Sequence, residues 1–291
     1  MADPAIRAKL ENKEFFVAPG AYDMLTALLA NRTGFDCVYA PGYWMIASYL
    51  GLPDVGIATY TEMLNRISRL VEVSDAPVIA DADTGYGGLI NVRHTVRGYE
   101  KAGVTGVQIE DQEFPKKCGH TPGKRVVPLE DMLDRLKVAL DTRQDESLLV
   151  VARTDAHQGM GMDETLRRAH AFAEVGADLL FLEGLSSEAE MRRACEELDA
   201  PIMLNMVEGG VTPIVPASTL AEMGVACAIY PAMCSLAAMA AIRDALAHLK
   251  SSGFSPAPGA ATFEFKDSWS LLGFQDIWDF ESRWARESGN D

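Results

Sequence analysis

Acidic and amide side chains collect where short apolar runs end. Asp81-Ala82-Asp83-Thr84-Gly85-Tyr86-Gly87 closes one run, Glu110-Asp111-Gln112 another, Arg153-Thr154-Asp155 the next, and Glu183-Gly184 and Asn205-Met206 two more. If these ends meet in space, carboxylates surround a single arginine. Crowded carboxylates raise one another's pKa and destabilise the fold unless a cation lies among them. The donors are oxygens without His or Cys, which selects a hard ion. Few direct carboxylates, completed by water and substrate, favour Mg2+ over Ca2+, with Mn2+ the other ion such a site takes. Asp81 and Asp83 alternate, so both face the same way along an extended segment. A strand-end cap or salt bridge is the plainer account of that pair alone; the whole ring is the stronger signal.

A second chemical feature lies between Gln112 and Pro128, a long polar connection carrying Lys116-Lys117-Cys118-Gly119-His120. Connections of this length without secondary structure are often active-site lids. A thiol beside two lysines and a histidine sits in an electropositive setting, which favours thiolate or proton exchange near neutral pH. An isolated cysteine is ordinarily buried and inert, but this one stands in a polar loop.

The elements that must position these groups can be read from the apolar runs. Phe15–Ala18, Cys37–Ala40, Val78–Ala80, Gly106–Ile109, Leu148–Ala152, Leu179–Leu182, Ile202–Leu204 and Ala226–Tyr230 recur at fairly even intervals, with helical periodicity between most of them, as in Leu129–Asp141 and Asp163–Val175. Corners such as Thr33-Gly34-Phe35, Ala102-Gly103-Val104, Val175-Gly176-Ala177 and Met223-Gly224-Val225 place glycine where a helix ends and a strand begins. Eight strand–helix units predict a closed parallel (β/α)8 barrel, the α/β fold in which polar groups at strand C-termini form the active site. A doubly wound open sheet is the alternative, but no GxGxxG follows the first strand. The barrel is assigned to residues 1–250. Residues 251–291 break the alternation, with a Pro/Gly-rich link from Phe254 to Ala261 and then an acidic, aromatic helical stretch through Arg286. This appendage packs on its own barrel or on a partner subunit. Gly159 and Gly161 read as plain loop residues, and neither His94 nor His157 is assigned a role.

Composition narrows the function. The formal charge of −16 over 291 residues opposes nucleic-acid and anionic-membrane binding. An anionic substrate then needs a local device such as a metal, an arginine or a helix N-terminus. With 48% hydrophobic and 23% charged residues, a large core is available. Five cysteines without CxxC spacing argue against disulfides and zinc, and with no secretory h-region at Met1–Leu10 the expected location is the cytoplasm. Val225–Leu246 is interrupted by Pro231, Arg243 and Asp244 and reads as strand then helix rather than a membrane span.

Lys116 to His120 resembles the K-[KR]-C-G-H signature of isocitrate lyases and 2-methylisocitrate lyases. Gly51-Leu52-Pro53-Asp54, the Asp81–Gly87 segment, Ile109-Glu110-Asp111-Gln112 and Ala152-Arg153-Thr154-Asp155 fit the same family in the same order, so the resemblance spans most of the chain. The isocitrate lyase/phosphoenolpyruvate mutase superfamily implies a (β/α)8 barrel, Mg2+, homotetramers that exchange C-terminal helices, and cleavage or formation of bonds alpha to an oxyacid. By that resemblance Asp81 holds the metal, with Asp54, Asp83 and Glu110 acting directly or through water. Cys118 is the catalytic acid on a mobile loop, and Arg153 grips a substrate carboxylate. Gly42, Tyr43, Lys117, Gly119, His120, Glu183, Asn205 and Thr212 line the substrate pocket. Tyr39 and a metal-linked carboxylate such as Glu110 are the candidate bases for the C2 hydroxyl.

Two departures bear on substrate. Lyases of this group usually place Ser-Gly after the second strand, whereas here Pro41-Gly42-Tyr43-Trp44 stands there, and proline lacks both the hydroxyl and the N–H. After the seventh strand, Asn205-Met206-Val207-Glu208-Gly209-Gly210-Val211-Thr212-Pro213 resembles the 2,3-dimethylmalate lyase and petal-death-protein group. Trp44 suggests a small or apolar second half of the substrate. The reading is therefore cleavage of a 2-alkylmalate to pyruvate and a carboxylic acid. Behind it stand 2-methylisocitrate cleavage, oxaloacetate hydrolysis and an inactive barrel kept for binding. The partner is a small di- or tricarboxylate.

Overall fold

The computed structural model of the protein describes residues 2–121, 123–256, 259 and 261–285. Eight parallel strands, β1 (Phe16–Pro19), β2 (Val38–Ala40), β3 (Val78–Asp81), β4 (Gly106–Glu110), β5 (Leu149–Thr154), β6 (Leu179–Leu182), β7 (Ile202–Asn205) and β8 (Cys227–Tyr230), pair in the order β1-β8-β7-β6-β5-β4-β3-β2. The ring closes between β1 and β2, where Gly20 bridges Tyr39 and the Ala21 N–H donates to the Tyr39 carbonyl at 2.8 Å. The expected (β/α)8 barrel is what forms. Its strands are covered on both faces, so they read as unbroken apolar runs rather than alternating ones; all of Leu179-Leu180-Phe181-Leu182 is buried.

Strand parity divides the core. Phe16, Tyr39, Ile79, Leu149, Val151, Leu179, Phe181, Met203, Cys227 and Ile229 fill the barrel interior, and Ile6 and Leu10 of the helix Pro4–Glu11 join the same cluster. Their neighbours, such as Val78, Val107, Val150, Leu180 and Leu204, belong to the layer packed against the helices. The helix Tyr60–Val73 shows why that layer is stable. Thr59 and Glu62 form a capping box at its start, and Met63, Ile67 and Leu70 lie at the spacing that makes one buried face. The helices Met24–Thr33 and Leu89–Ala102 end on Gly34 and Gly103 in the left-handed conformation, as the corner signature predicts.

The chain divides into two compact units, Met1–Ser235 and Leu236–Asp291. The division falls within the helix Met233–Ser252, ahead of the expected boundary at residue 250. The second unit contains the rest of that helix and the helices Phe265–Leu271 and Phe274–Trp284. Trp269 and Trp278 meet edge to face with centroids 5.7 Å apart, yet Phe265, Ile277, Phe280 and Trp284 are each more than half exposed. Arg286, the expected end of the aromatic stretch, lies outside the described residues.

Candidate active site

The alternation that packs the barrel interior also delivers the polar groups. Continuing the inner parity past the apolar layers gives Asp81 and Asp83 after Ile79, Glu110 after Gln108, Arg153 after Val151, Glu183 after Phe181 and Asn205 after Met203. All of these polar side chains are buried. They converge at the C-terminal mouth, where a barrel places its chemistry.

One half of the site is acidic. Asp54, from the segment after the helix Gly42–Leu50, and Asp83 flank Lys116, whose Nζ lies 2.8 Å from Asp54 and 2.6 Å from Asp83. Burial alone would weaken the hold of the amine on its proton. The carboxylates of Asp83, Glu110, Asp54 and Asp81 outweigh it and hold Lys116 charged. Burial pushes Asp83 up to about 7, with Asp81 and Asp54 adding to the rise and Lys116 opposing it. Asp83 also adopts φ 49°, and its N–H donates to Asp81 Oδ1 at 2.9 Å. The Tyr99 hydroxyl donates to the Asp81 carbonyl at 3.2 Å, fixing the end of β3 from behind.

The other half is built around Arg153. Its Nε and Nη2 reach Asp155 at 2.9 and 3.0 Å; Nε lies 3.4 Å from Glu110 and Nη2 3.3 Å from Glu183. The guanidinium carbon sits 5.0 Å above the centre of the Phe181 ring. Asn205 Nδ2 donates to Glu183 at 3.0 Å and lies 3.3 Å from His120 Nε2. Outside the inner face, the opposite parity turns Asp111 toward the helix layer. There it accepts from Thr154 at 2.7 Å, from the Asp155 N–H at 2.9 Å and from Arg168 at 3.1 Å.

The 112–128 connection spans both halves. Its base is pinned by an antiparallel bridge between Gln112 and Val126, and the Gln112 amide holds both the N–H and the carbonyl of Lys117 at 2.9 Å. Gly119 packs on Arg153 so closely that a Cβ there would lie 2.4 Å from Nη2 and 2.8 Å from Glu183. Lys124 ties the segment down, donating to the Gly119 carbonyl and pairing with Asp155 at 2.9 Å. The loop is therefore closed over the site.

Several sequence expectations change here. The electropositive setting proposed for Cys118 is not formed: Lys116 is buried among carboxylates, and the Lys117 ammonium donates to the Gly123 carbonyl at 2.9 Å. Burial instead pushes the Cys118 thiol up, so its resting form is the protonated one, suited to giving a proton. Lys117 points away from the pocket it was expected to line. Tyr39 is unfit as a base, because burial and then the Asp81 charge hold its phenol protonated well above the usual range while it donates to Gln108 at 2.9 Å. Gly42 lies against Asp81, with a hypothetical Cβ 2.8 Å from Oδ2. Tyr43 is partly exposed with its ring edge on Trp44 at 4.7 Å, and Thr212 is buried with its hydroxyl unpartnered. Lys116, Lys124 and Asp155 were missed as site residues. Asp155 had a signal, since it continues the parity of Arg153; the lysines had none beyond their motif.

The donor set fits Mg2+. Asp54 Oδ1 and both oxygens of Glu110 are buried without a hydrogen-bond partner, and glycine at 42 keeps Asp81 Oδ2 uncrowded. Among the described residues no group of three or more His, Cys, Asp or Glu is arranged to hold an ion alone. Mg2+ suits such a place, since it retains several waters and takes one or two carboxylates plus substrate oxygens.

Comparison with known proteins agrees with this geometry. Residues 6–250 match the family model described as phosphoenolpyruvate phosphomutase. The chain is 43% identical over 280 residues to 2,3-dimethylmalate lyase of Eubacterium barkeri, covering 96% of this chain and 97% of that one. It is 37% identical to 2-methylisocitrate lyase of Aeropyrum pernix, covering 97% and 90%. Among solved structures, 2,3-dimethylmalate lyase in a trigonal crystal form superposes with a TM-score of 0.91 at 36% identity, covering 100% and 98%. Oxaloacetate acetylhydrolase bound to 3,3-difluorooxalacetate does so at 0.90 and 36%, covering 95% of each chain. With strand-end carboxylates, a closed Cys-Gly-His loop and relatives matching nearly end to end, the chain belongs to the phosphoenolpyruvate mutase/isocitrate lyase superfamily.

Proposed function

We propose that this protein is a Mg2+-dependent carbon–carbon lyase that cleaves a 2-alkylmalate, such as 2,3-dimethylmalate, to pyruvate and a carboxylic acid. The observation that carries the reading is the Cys118 loop folded onto Arg153 and Glu183, which brings a protonated thiol to the mouth of the barrel. The similarity to 2,3-dimethylmalate lyase supports the substrate class.

The residues divide the work. Asp81, with Asp54, Asp83 and Glu110 directly or through water, would hold Mg2+, which supplies Lewis-acid stabilisation of the pyruvyl oxygens. The helix Gly42–Leu50 starts after Pro41 without a side-chain cap, so its first N–H groups have no intrahelical partner and take over from the absent serine hydroxyl. Glu110, with both oxygens free of hydrogen bonds, accepts the C2 hydroxyl proton. The C2–C3 bond breaks, its electron pair moves onto C3 and the attached carboxylate, and Cys118 protonates C3. When the loop opens, the thiolate regains a proton from solvent and Glu110 releases to solvent the one it took, which closes the cycle. Arg153, His120 and Asn205 position the leaving carboxylate, and Glu183 orients Arg153 and Asn205.

A second reading, 2-methylisocitrate cleavage, follows from the similarity to the A. pernix enzyme. It demands a place for a further carboxylate. Arg153 is assigned to the leaving carboxylate and Lys117 is turned to Gly123, so no further cation is left for a third carboxylate, which favours the smaller alkylmalate. We place the enzyme in the cytoplasm, as five free cysteines suit a reducing compartment. We assign it a homotetramer, the assembly that its superfamily implies, with the aromatic residues of 265–284 suited to a subunit contact. No described helix is long and apolar enough to cross a membrane.

The test is pyruvate release, coupled to NADH oxidation by lactate dehydrogenase, from 2,3-dimethylmalate and 2-methylisocitrate, each with Mg2+ or EDTA. Mg2+-dependent pyruvate from the first supports the proposal. Preference for the second selects the alternative, and a rate unmoved by EDTA removes the metal from the reaction.

A further inference from the structure

The outer wall of the barrel carries a cavity of about 650 Å³ between the helices Tyr60–Val73 and Leu89–Ala102. It shares no lining residue with the inner-face carboxylates, from which Tyr86 and Tyr99 separate it. Tyr60 and Leu64 line one side, and His94, Arg97, Gly98 and Lys101 the other. Arg97 and Lys101 are exposed and lie one turn apart on the same helix face. Neither makes an ion pair or hydrogen bond with a described residue. What sets these two cations apart is their place: both line the same concave wall, beside the imidazole of His94 and the phenol of Tyr60. A concave wall concentrates their field on whatever enters.

The cavity is also shaped by a residue whose only visible reason is to admit Tyr60. Gly98 lies inside a helix, where glycine costs about 1 kcal/mol relative to alanine. A Cβ at 98 would fall on the Tyr60 hydroxyl. Glycine lets the phenol lie flat across the helix, and the His94 ring rests against it with centroids 4.6 Å apart. The result is a floor with a hydroxyl and an imidazole, beside two free cations. The cavity's size is in the range that holds small-molecule ligands.

We propose that this cavity is a binding site for a small anion with closely spaced acidic oxygens, a phosphate compound or a dicarboxylate, held by Arg97 and Lys101 with His94 and Tyr60 as further donors. The site is independent of the lyase reading, since none of its residues touches the inner-face cluster.

The experiment is calorimetric titration of the full-length, Mg2+-free protein with inorganic pyrophosphate and, separately, succinate. Saturable binding that weakens about tenfold in Arg97→Gln, and at least as much again in Arg97→Gln/Lys101→Gln, supports the site, as expected when each lost charge-assisted hydrogen bond is worth about one decade in affinity. Both side chains are exposed, so the variants keep the wild-type melting temperature. The probe whose binding responds to the substitutions names the ligand class. Equal affinity in wild type and double variant, or no saturable binding of either probe, overturns the proposal.

Discussion

Lys116→Met perturbs the acidic half of the site at its centre. The ammonium lies 2.8 Å from Asp54 and 2.6 Å from Asp83, and the three side chains are buried together. Removing one partner from a buried ion pair costs about 3–5 kcal/mol, because the surviving charge keeps its desolvation penalty. Methionine approximates the volume of the lysine stem, so packing contributes little to the loss. Proton uptake sets a ceiling on that cost. Asp83 already titrates at about 7 with the ammonium in place, and without it the value rises further. A carboxyl whose folded pKa exceeds its unfolded value of about 3.9 binds more protons in the folded state, so its contribution to stability falls as pH rises between the two. Up to about pH 7 wild type and variant lose this contribution alike; above it wild-type Asp83 is ionised and its term levels off while the variant's keeps falling, so the deficit grows with pH above about 7. Urea unfolding in EDTA should show Lys116→Met less stable than wild type by about 2–3 kcal/mol at pH 5.5 and by about 1.4 kcal/mol more at pH 8. Equal stabilities at pH 8, or a deficit that shrinks as pH rises, would refute the assignment of Lys116 as the internal counter-charge.

Other substitutions separate the parts of the site. Cys118→Ser should leave the urea midpoint and Mg2+ binding unchanged and lower pyruvate release by about 10²–10⁴-fold, the range for a lost general acid; unchanged turnover would remove Cys118 from the chemistry. Because burial raises the Cys118 thiol above its ordinary value of 9.0, activity that needs the thiol should persist through pH 8 and fall only on the alkaline side, read from the pH profile of kcat. Gly119→Ala places a methyl 2.4 Å from Arg153 Nη2. It should hold the loop open and depress kcat/KM by at least about tenfold with the barrel still folded, as circular dichroism would report. Asp111→Asn removes the charge facing Arg168 at 3.1 Å and should cost about 3 kcal/mol in denaturant unfolding.

Most of this arrangement could be read from the residues because barrel strands obey two simple rules. Apolar runs covered on both faces announce the strands, and period-two alternation carries the inward parity from Val151 to Arg153 and from Ile79 to Asp81 and Asp83. Parity also explains why Asp111, next to Glu110, serves the outer layer through Arg168 rather than the site. Loops obey no such rule. Lys116 and Lys117 are chemically identical neighbours, and only the path of the chain decides that one is buried among carboxylates while the other reaches Gly123. Reading both as a positive field around Cys118 therefore inverted the thiol's preference. Tyr39 failed as a base for a related reason: its inward parity is plain, but the depth that buries its phenol beneath Asp81 is not.

The path of the loop also joins the two halves of the site. Lys116 neutralises Asp54 and Asp83, while Gly119 and His120, within four residues of it, sit against Arg153, Glu183 and Asn205. Any opening that withdraws Cys118 far enough to admit substrate must also disturb Lys116, and opening then leaves buried carboxylates without their cation. A divalent ion offsets that loss. On the proposed Mg2+-dependent reaction, metal and loop would act on the same charges, and the electrostatic stability of an open state would depend on the ion. In the proposed mechanism, closure would return the ammonium to the acidic half and bring the thiol to the substrate in one movement, coupling delivery of the proton to completion of the site.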